Sequence, residues 1–318
     1  MRKELEAFKI KIGNRILDYR LGQKLDLNKI ISFFEKKYKV KKIWSGDRHI
    51  LGILEKFQKE YFLKLSTSEG ISFFGKREYK WNEIFNNKIS HSEFQVPRNL
   101  ESGYFEKLFY QITEKFDGEL LCDRVASKDQ SNRIIDDIEK IISLSRLIES
   151  IKVDNLEYPV SKVEDNFRNY FIAKTKSWYK SIPLEIAKKF DVLSLLELVE
   201  SDSIKLSKKP RHGDFAPWHI FRLSNNKLGL IDGEHFLSQG VAGYDIGYFL
   251  QRVFSVLKNS DVSQMILNHL IKYGYDLQKL KVILAARAIG GYLDESLAPL
   301  PNYDYAVRFQ NWIMHLKA

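Results

Sequence analysis

The stretch over residues 211–234, RHGDFAPWHIFRLSNNKLGLIDGE, concentrates side chains able to do chemistry. Asp214 lies in a tight His-Gly-Asp turn, and His219 follows five residues on. Two short apolar runs come next, at 220–223 and 228–231. They are joined by Ser224-Asn225-Asn226-Lys227, which signals a hairpin. Asp232 stands directly after the second run. Two carboxylates at the mouths of adjacent short strands suit phosphoryl transfer. One can orient and deprotonate a hydroxyl, and the other can hold a hard divalent cation against phosphates. An isolated Asp-Gly is ordinarily a turn cap. It is the ordered combination of turn, hairpin and second Asp that points to chemistry.

The surrounding pattern predicts what positions these residues. Asp26 is placed to cap a helix running to residue 38, with Leu27, Ile30, Ile31 and Phe34 on one face. The period then changes. Tyr38, Val40, Ile43 and Trp44 read as a strand ending in the turn Ser45-Gly46-Asp47, and apolar runs at 49–57 and 61–65 complete a three-stranded antiparallel meander. A helix over 74–86 and a strand over 104–112 are expected next. The polar stretch 113–118, closed by Gly118, reads as a lobe boundary. Beyond residue 131, Ile134, Ile135, Ile138, Ile141, Ile142, Leu144 and Leu147 recur at helical spacing. Further helices are expected at 162–180, at 184–200 and from Asp245 onward. The fold class is therefore α+β and two-lobed: a small antiparallel-sheet N-lobe, then a larger helical C-lobe. The predicted division is a helical extension over 1–37, an N-lobe over 38–118 and a C-lobe over 119–318.

The 318 residues are 44% hydrophobic and 13% aromatic, which excludes a disordered or collagen-like chain. A single cysteine, Cys122, excludes an internal disulfide and multi-cysteine zinc sites. The charged N-terminus lacks the apolar stretch of a signal peptide, and no run approaches a membrane span, so a cytoplasmic location is expected. The net charge is +10, of which +7 falls in the first 120 residues. There the bases are interleaved with acids and aliphatics, so a solvated surface is expected rather than a nucleic-acid footprint.

HGDFAPWHI followed by LIDGE resembles the aminoglycoside phosphotransferase and choline kinase group, which has a protein-kinase-like fold and the pattern H-G-D-x-x-x-x-N, strand, I-D-x-E. The resemblance extends over roughly residues 38–300. It implies that His212, Gly213 and Asp214 form the catalytic loop with Asp214 as base. It also implies that Asp232 binds the metal, that Glu234 is the acid of I-D-x-E, and that Asp245 braces the loop. Lys64, in YFLKL, resembles the strand lysine that contacts nucleotide phosphates. Glu78 resembles its helix partner, with Glu83 as the rival. Gly46 falls in the phosphate-loop position, and Glu114 and Phe116 in the hinge that binds adenine. Asp294 and Glu295 fall where late helices line the acceptor site, and Glu234 is a further candidate there. The implied cofactors are ATP or GTP with Mg²⁺ or Mn²⁺. The implied partner is a small-molecule hydroxyl acceptor such as a sugar, an amino alcohol or an aminoglycoside-like compound.

Two departures from the pattern stand out. His219 occupies the motif's Asn position, where imidazole suits softer metals than an amide oxygen does. The first loop carries one glycine only, Gly46. These departures motivate the alternative of a catalytically impaired pseudokinase acting as a nucleotide-binding or scaffold module.

Overall fold

The computed structural model describes residues 5–89, 92–153 and 166–317. In chain order its elements are β1 (Lys9–Ile12), β2 (Arg15–Asp18), α1 (Leu27–Phe34), β3 (Lys39–Ser45), β4 (His49–Lys56), β5 (Lys59–Ser66), α2 (Glu69–Ile89), β6 (Phe94–Gln95), β7 (Asn99–Phe105), β8 (Leu108–Glu114) and β9 (Gly118–Leu120). Next come α3 (Lys128–Asn132), α4 (Ile138–Ser150), α5 (Phe167–Ser181), α6 (Leu184–Lys189), α7 (Val192–Asp202), β10 (Lys208–Arg211), β11 (Ile220–Leu223), β12 (Leu228–Leu230) and β13 (Leu237–Val241). The chain closes with α8 (Tyr244–Gln251), α9 (Ser260–Lys272), α10 (Leu277–Ser296) and α11 (Asp304–His315).

Two compact units emerge. Among the described residues, the first holds everything up to Glu119 together with Phe221–Phe236, and the second holds the remainder. The first unit is built on an antiparallel sheet in the order β3-β4-β5-β8-β7. Alternation along β4 and β5 sends Ile50, Leu54, Leu63 and Leu65 to one face, where Ile30 and Phe34 of α1 pack with them. Asp26 caps α1 through its side chain, as its sequence position predicts. Within the same unit β12 pairs in parallel with β6.

The second unit is mainly helical, with one hairpin-like pair, β10 and β13, running antiparallel. α10 is its central helix. Residues from Val282 to Gly290 are buried without a break, so it presents apolar surface on all sides to α5, α7, α8 and α11.

Several elements differ from the sequence expectation. Within the predicted helical extension over 1–37, β1 and β2 form a hairpin turning at Gly13, whose φ is 58°, ahead of α1. The single strand expected over 104–112 is the end of β7 and the start of β8. They are joined by Glu106 and Lys107 in left-handed conformations, φ 47° and 70°. The helix expected over 184–200 breaks at Asp191, φ 47°, into α6 and α7. α2 starts five residues before the expected Phe74. Of the helix expected over 162–180, residues 162–165 lie outside the described residues.

Candidate functional site

In the first unit the chemistry gathers around Lys64. Its neighbours Leu63 and Leu65 enter the sheet core, so alternation turns Lys64 to the other face. There α2 presents a buried stripe of Ile71, Phe74, Glu78, Trp81 and Phe85 at spacings of three and four. Glu78 is the one charged residue among the buried positions of α2. Lys64 Nζ lies 2.7 Å from Glu78 Oε2, 2.5 Å from Asp232 Oδ1 and 3.8 Å from Glu234 Oε2. Arg48, in the loop after β3, pairs with Glu234. Asp232 reaches Lys64 from a left-handed residue, φ 68°. The next position must be glycine, because a Cβ on Gly233 would run into the Trp81 ring.

Charge balance sets the protonation of this cluster. Burial opposes the Lys64 charge, but Asp232, Glu78 and Glu234 outweigh it and raise its pKa. Burial pushes Glu78 up to about 7 despite Lys64, with Asp232 adding to the rise. Burial also works against Glu234, yet Arg48 and Lys64 hold it down at about 2. His49 is pushed to about 3 by burial and then by Lys64, so it stays neutral. Glu78, Asp232 and Glu234 each offer a carboxylate oxygen, all within 4.8 Å of one another. Hard oxygen donors of this kind fit Mg²⁺ or Mn²⁺.

In the second unit, pairing of β10 with β13 brings the turn after β10 to the start of α8. Asp245 of α8 there accepts the backbone N–H groups of His212 at 2.7 Å and Gly213 at 2.8 Å. Gly213 has φ 90°, a conformation natural to glycine. Burial raises Asp245 to about 6, against the two N–H groups that favour its charged form. His212 itself is wholly buried. The Asp214 carbonyl lies 2.9 Å from His219 Nδ1. A carbonyl only accepts, so Nδ1 donates in this contact. The Asp214 carboxylate accepts a hydrogen bond from the Tyr248 hydroxyl. That hydroxyl accepts in turn from Arg252 at 2.7 Å.

No protein-family model and no curated protein sequence matches the chain. Solved structures do. Aminoglycoside phosphotransferase APH(4)-Ia superposes with a TM-score of 0.66 at 13% identity, over 91% of this chain and 96% of that one. Choline kinase LicA from Streptococcus pneumoniae gives 0.58 at 15% identity, over 91% and 97%. An aminoglycoside-3'-phosphotransferase of type VIII gives 0.54 at 16%, over 80% and 93%. The chain has the kinase-like fold of these proteins.

Within that fold the remaining predicted residues fall as follows. The Gly46 N–H closes its turn on the His49 carbonyl at 2.8 Å. Glu114 ends β8 and pairs with Lys59 at 3.3 Å. Phe116 packs edge-on to Phe221, against the space left by Gly229. Glu234, a candidate for the acceptor, is fully buried between Arg48 and His235. Asp294 pairs with Arg252 at 3.0 Å, and Glu295 accepts the Asn302 N–H at 3.4 Å. Glu83, the rival partner for Lys64, pairs instead with Lys80.

Sequence reasoning missed Arg48, Tyr19, Tyr248, Arg252 and Arg287. Tyr19 comes from the N-terminal segment, outside the resemblance. Its ring lies 4.6 Å from that of Phe74 and 5.8 Å from that of His235, beside the Asp232 turn. A tyrosine following the Gly13 turn gave the one available hint.

Proposed function

We propose that the chain is a small-molecule kinase that transfers the terminal phosphoryl group of ATP to a hydroxyl. The observation that carries this reading is Lys64 held at 2.5 Å and 2.7 Å by Asp232 and Glu78 on an otherwise apolar face. A half-buried lysine fixed between a helix carboxylate and a turn carboxylate is a prepared phosphate contact. Support comes also from the neighbours of this fold: APH(4)-Ia has been crystallised with ADP and hygromycin B, and LicA with AMP.

Lys64 would exchange its Asp232 contact for nucleotide phosphate, with Glu78 keeping its ammonium in place. Asp232 would then hold the divalent cation. When bound, that cation neutralises charge on the phosphates. Asp214 would orient the acceptor hydroxyl and take its proton, with the backbone turn kept rigid by Asp245. Its present partner, the Tyr248 hydroxyl, marks where an acceptor hydroxyl would dock. Glu114 and Phe116 would border the adenine. GTP would serve equally wherever recognition is through backbone groups.

The test is nucleotide binding by calorimetry with Mg²⁺ or Mn²⁺, paired with turnover in a hydroxyl-acceptor screen. Asp214→Ala is expected to lower turnover about 10²–10⁴-fold while nucleotide affinity holds. Asp232→Ala is expected to abolish the metal dependence of binding. Full turnover in Asp214→Ala, or metal-dependent binding intact in Asp232→Ala, overturns the assignment. A wild-type protein that binds nucleotide but phosphorylates nothing favours the non-catalytic alternative, for which His219 is the motivating residue.

A further inference from the structure

The base assigned above stands beside an unusual concentration of arginine. The Arg252 guanidinium lies 4.6 Å from the Tyr248 ring centroid, and the Arg287 guanidinium 4.3 Å from the same ring. Arg287 also lies 4.9 Å from the Trp178 ring and donates to the Tyr244 hydroxyl at 3.3 Å. Arg211 sits 3.7 Å over the Tyr244 ring. Arg287 is 4% exposed and Arg211 8%.

Of these three cations, only Arg252 has a carboxylate partner, Asp294, among the described residues. Arg287 forms no ion pair there, and its Nε, also buried, has no hydrogen-bond partner. Aromatic faces offset only part of the cost of burying a cation, and an unpaired buried charge is otherwise strongly unfavourable. Asp214 also acts on Arg252, and Asp245 lies near Arg211, so the missing anion is the one at Arg287. The nearby acids are otherwise engaged. Asp294 is taken by Arg252, and Glu295 is engaged by a backbone N–H. Asp245 is committed to the His-Gly-Asp turn.

We propose that Arg287, with Arg252, binds an anionic group of the acceptor, a phosphate or a carboxylate, beside Asp214. The acceptor is then an acidic alcohol such as a sugar phosphate or a hydroxy acid, not a polyamine. This rests on the kinase reading of Asp214. A planar guanidinium matches either oxyanion in two-point fashion, and Tyr248 links the site to the base through Arg252 and Asp214.

The experiment uses the full chain and inorganic phosphate as probe, titrated by calorimetry with and without saturating AMP-PNP and Mg²⁺. Phosphate is expected to bind in both conditions, and Arg287→Gln to weaken it at least tenfold with AMP-PNP affinity unchanged. Arg287→Lys, which keeps the charge and the bulk, is expected to lose less and serves if the Gln variant fails to fold. In a transfer screen of glucose, glucosamine and hexose phosphates, the phosphates are expected to be preferred. If phosphate does not bind while AMP-PNP does, or binds equally in both variants, the anion site falls and the kinase reading stands. If AMP-PNP displaces the phosphate, the site belongs to the nucleotide and the acceptor assignment falls. If AMP-PNP does not bind at all, the kinase reading fails and takes the acceptor assignment with it.

Discussion

The two clusters place their functional groups by opposite means. In the first unit charge is held by charge: Lys64 and Arg48 face Glu78, Asp232 and Glu234 in one largely enclosed group. In the second unit the key carboxylates are held by backbone N–H groups and a phenol, and the cations rest largely on aromatic rings. A charge-held group can rearrange when a charged ligand arrives, because one anion can replace another around the same ammonium. A backbone-held turn cannot, and that suits a base whose direction must not change. The contrast accords with the roles proposed above, a phosphate contact in one unit and a hydroxyl-orienting base in the other.

Removing the central cation is the sharpest way to break this contrast. Lys64→Met leaves the buried Glu78 and Glu234 and the half-buried Asp232 with Arg48 as the cation beside them. Loss of one partner from a buried ion cluster costs about 3–5 kcal/mol, since the other partners stay desolvated. The denaturation midpoint is therefore expected to fall steeply, and nucleotide binding with it. If the midpoint is unchanged, Lys64 is not what holds the first cluster together.

The corresponding change in the second unit is Asp245→Asn. It removes the charge that accepts two N–H groups, and an amide cannot accept both equally. Hydrogen bonds to charged groups contribute about 1.5–3 kcal/mol each. Asn keeps one acceptor, and the raised pKa of Asp245 shows that its charge is already costly to bury. A loss of about 2–3 kcal/mol is expected, together with faster amide exchange at His212 and Gly213. Unchanged exchange at those two amides would mean the turn is held by something other than Asp245.

How far each cluster could be read from sequence follows from how it is built. Asp214 and Asp232 stand in one short stretch, where local spacing singled them out, and the resemblance added Asp245. Lys64 and Glu78 were singled out by the resemblance and by their order before Asp214 and Asp232, since a lone Lys or Glu reads locally as a surface charge. Arg252 and Arg287 gave no such sign. The contacts of Arg252 to Asp294 and of Arg287 to Tyr248 and Trp178 join segments far apart in sequence, and no local motif pairs them. The β7–β8 turn was hidden for a related reason. Its two left-handed residues are Glu106 and Lys107, where a hairpin of that type normally advertises itself with Asn or Gly. Asp191 conceals the break between α6 and α7 in the same way. The Lys9–Asp18 hairpin did carry a turn signal at Gly13-Asn14, but its strands are four residues each, too short for alternation to declare itself.

The smallest expected effect probes the support behind the backbone-held cluster. Glu149 of α4 accepts the N–H of Gly243, the residue before α8, at 2.6 Å. Burial raises Glu149 to about 7, and nearby Asp245 adds to the rise, against the Gly243 hydrogen bond and the cations Lys209 and Arg146. The native value exceeds the ordinary carboxylate value, so the folded chain retains a proton that the unfolded chain has lost. The stability this provides is complete below about pH 4.5 and is lost as pH rises through 7. Glu149→Gln keeps an acceptor for Gly243 but cannot titrate. Between pH 5 and pH 8 the wild type is expected to lose up to about 2 kcal/mol more stability than the variant. Asp245, also raised, leaves a residual slope in both. Parallel stability curves for the two proteins would show that Glu149 is solvated enough to ionise freely. The start of α8, and with it the turn carrying Asp214, would then be insensitive to pH from this side.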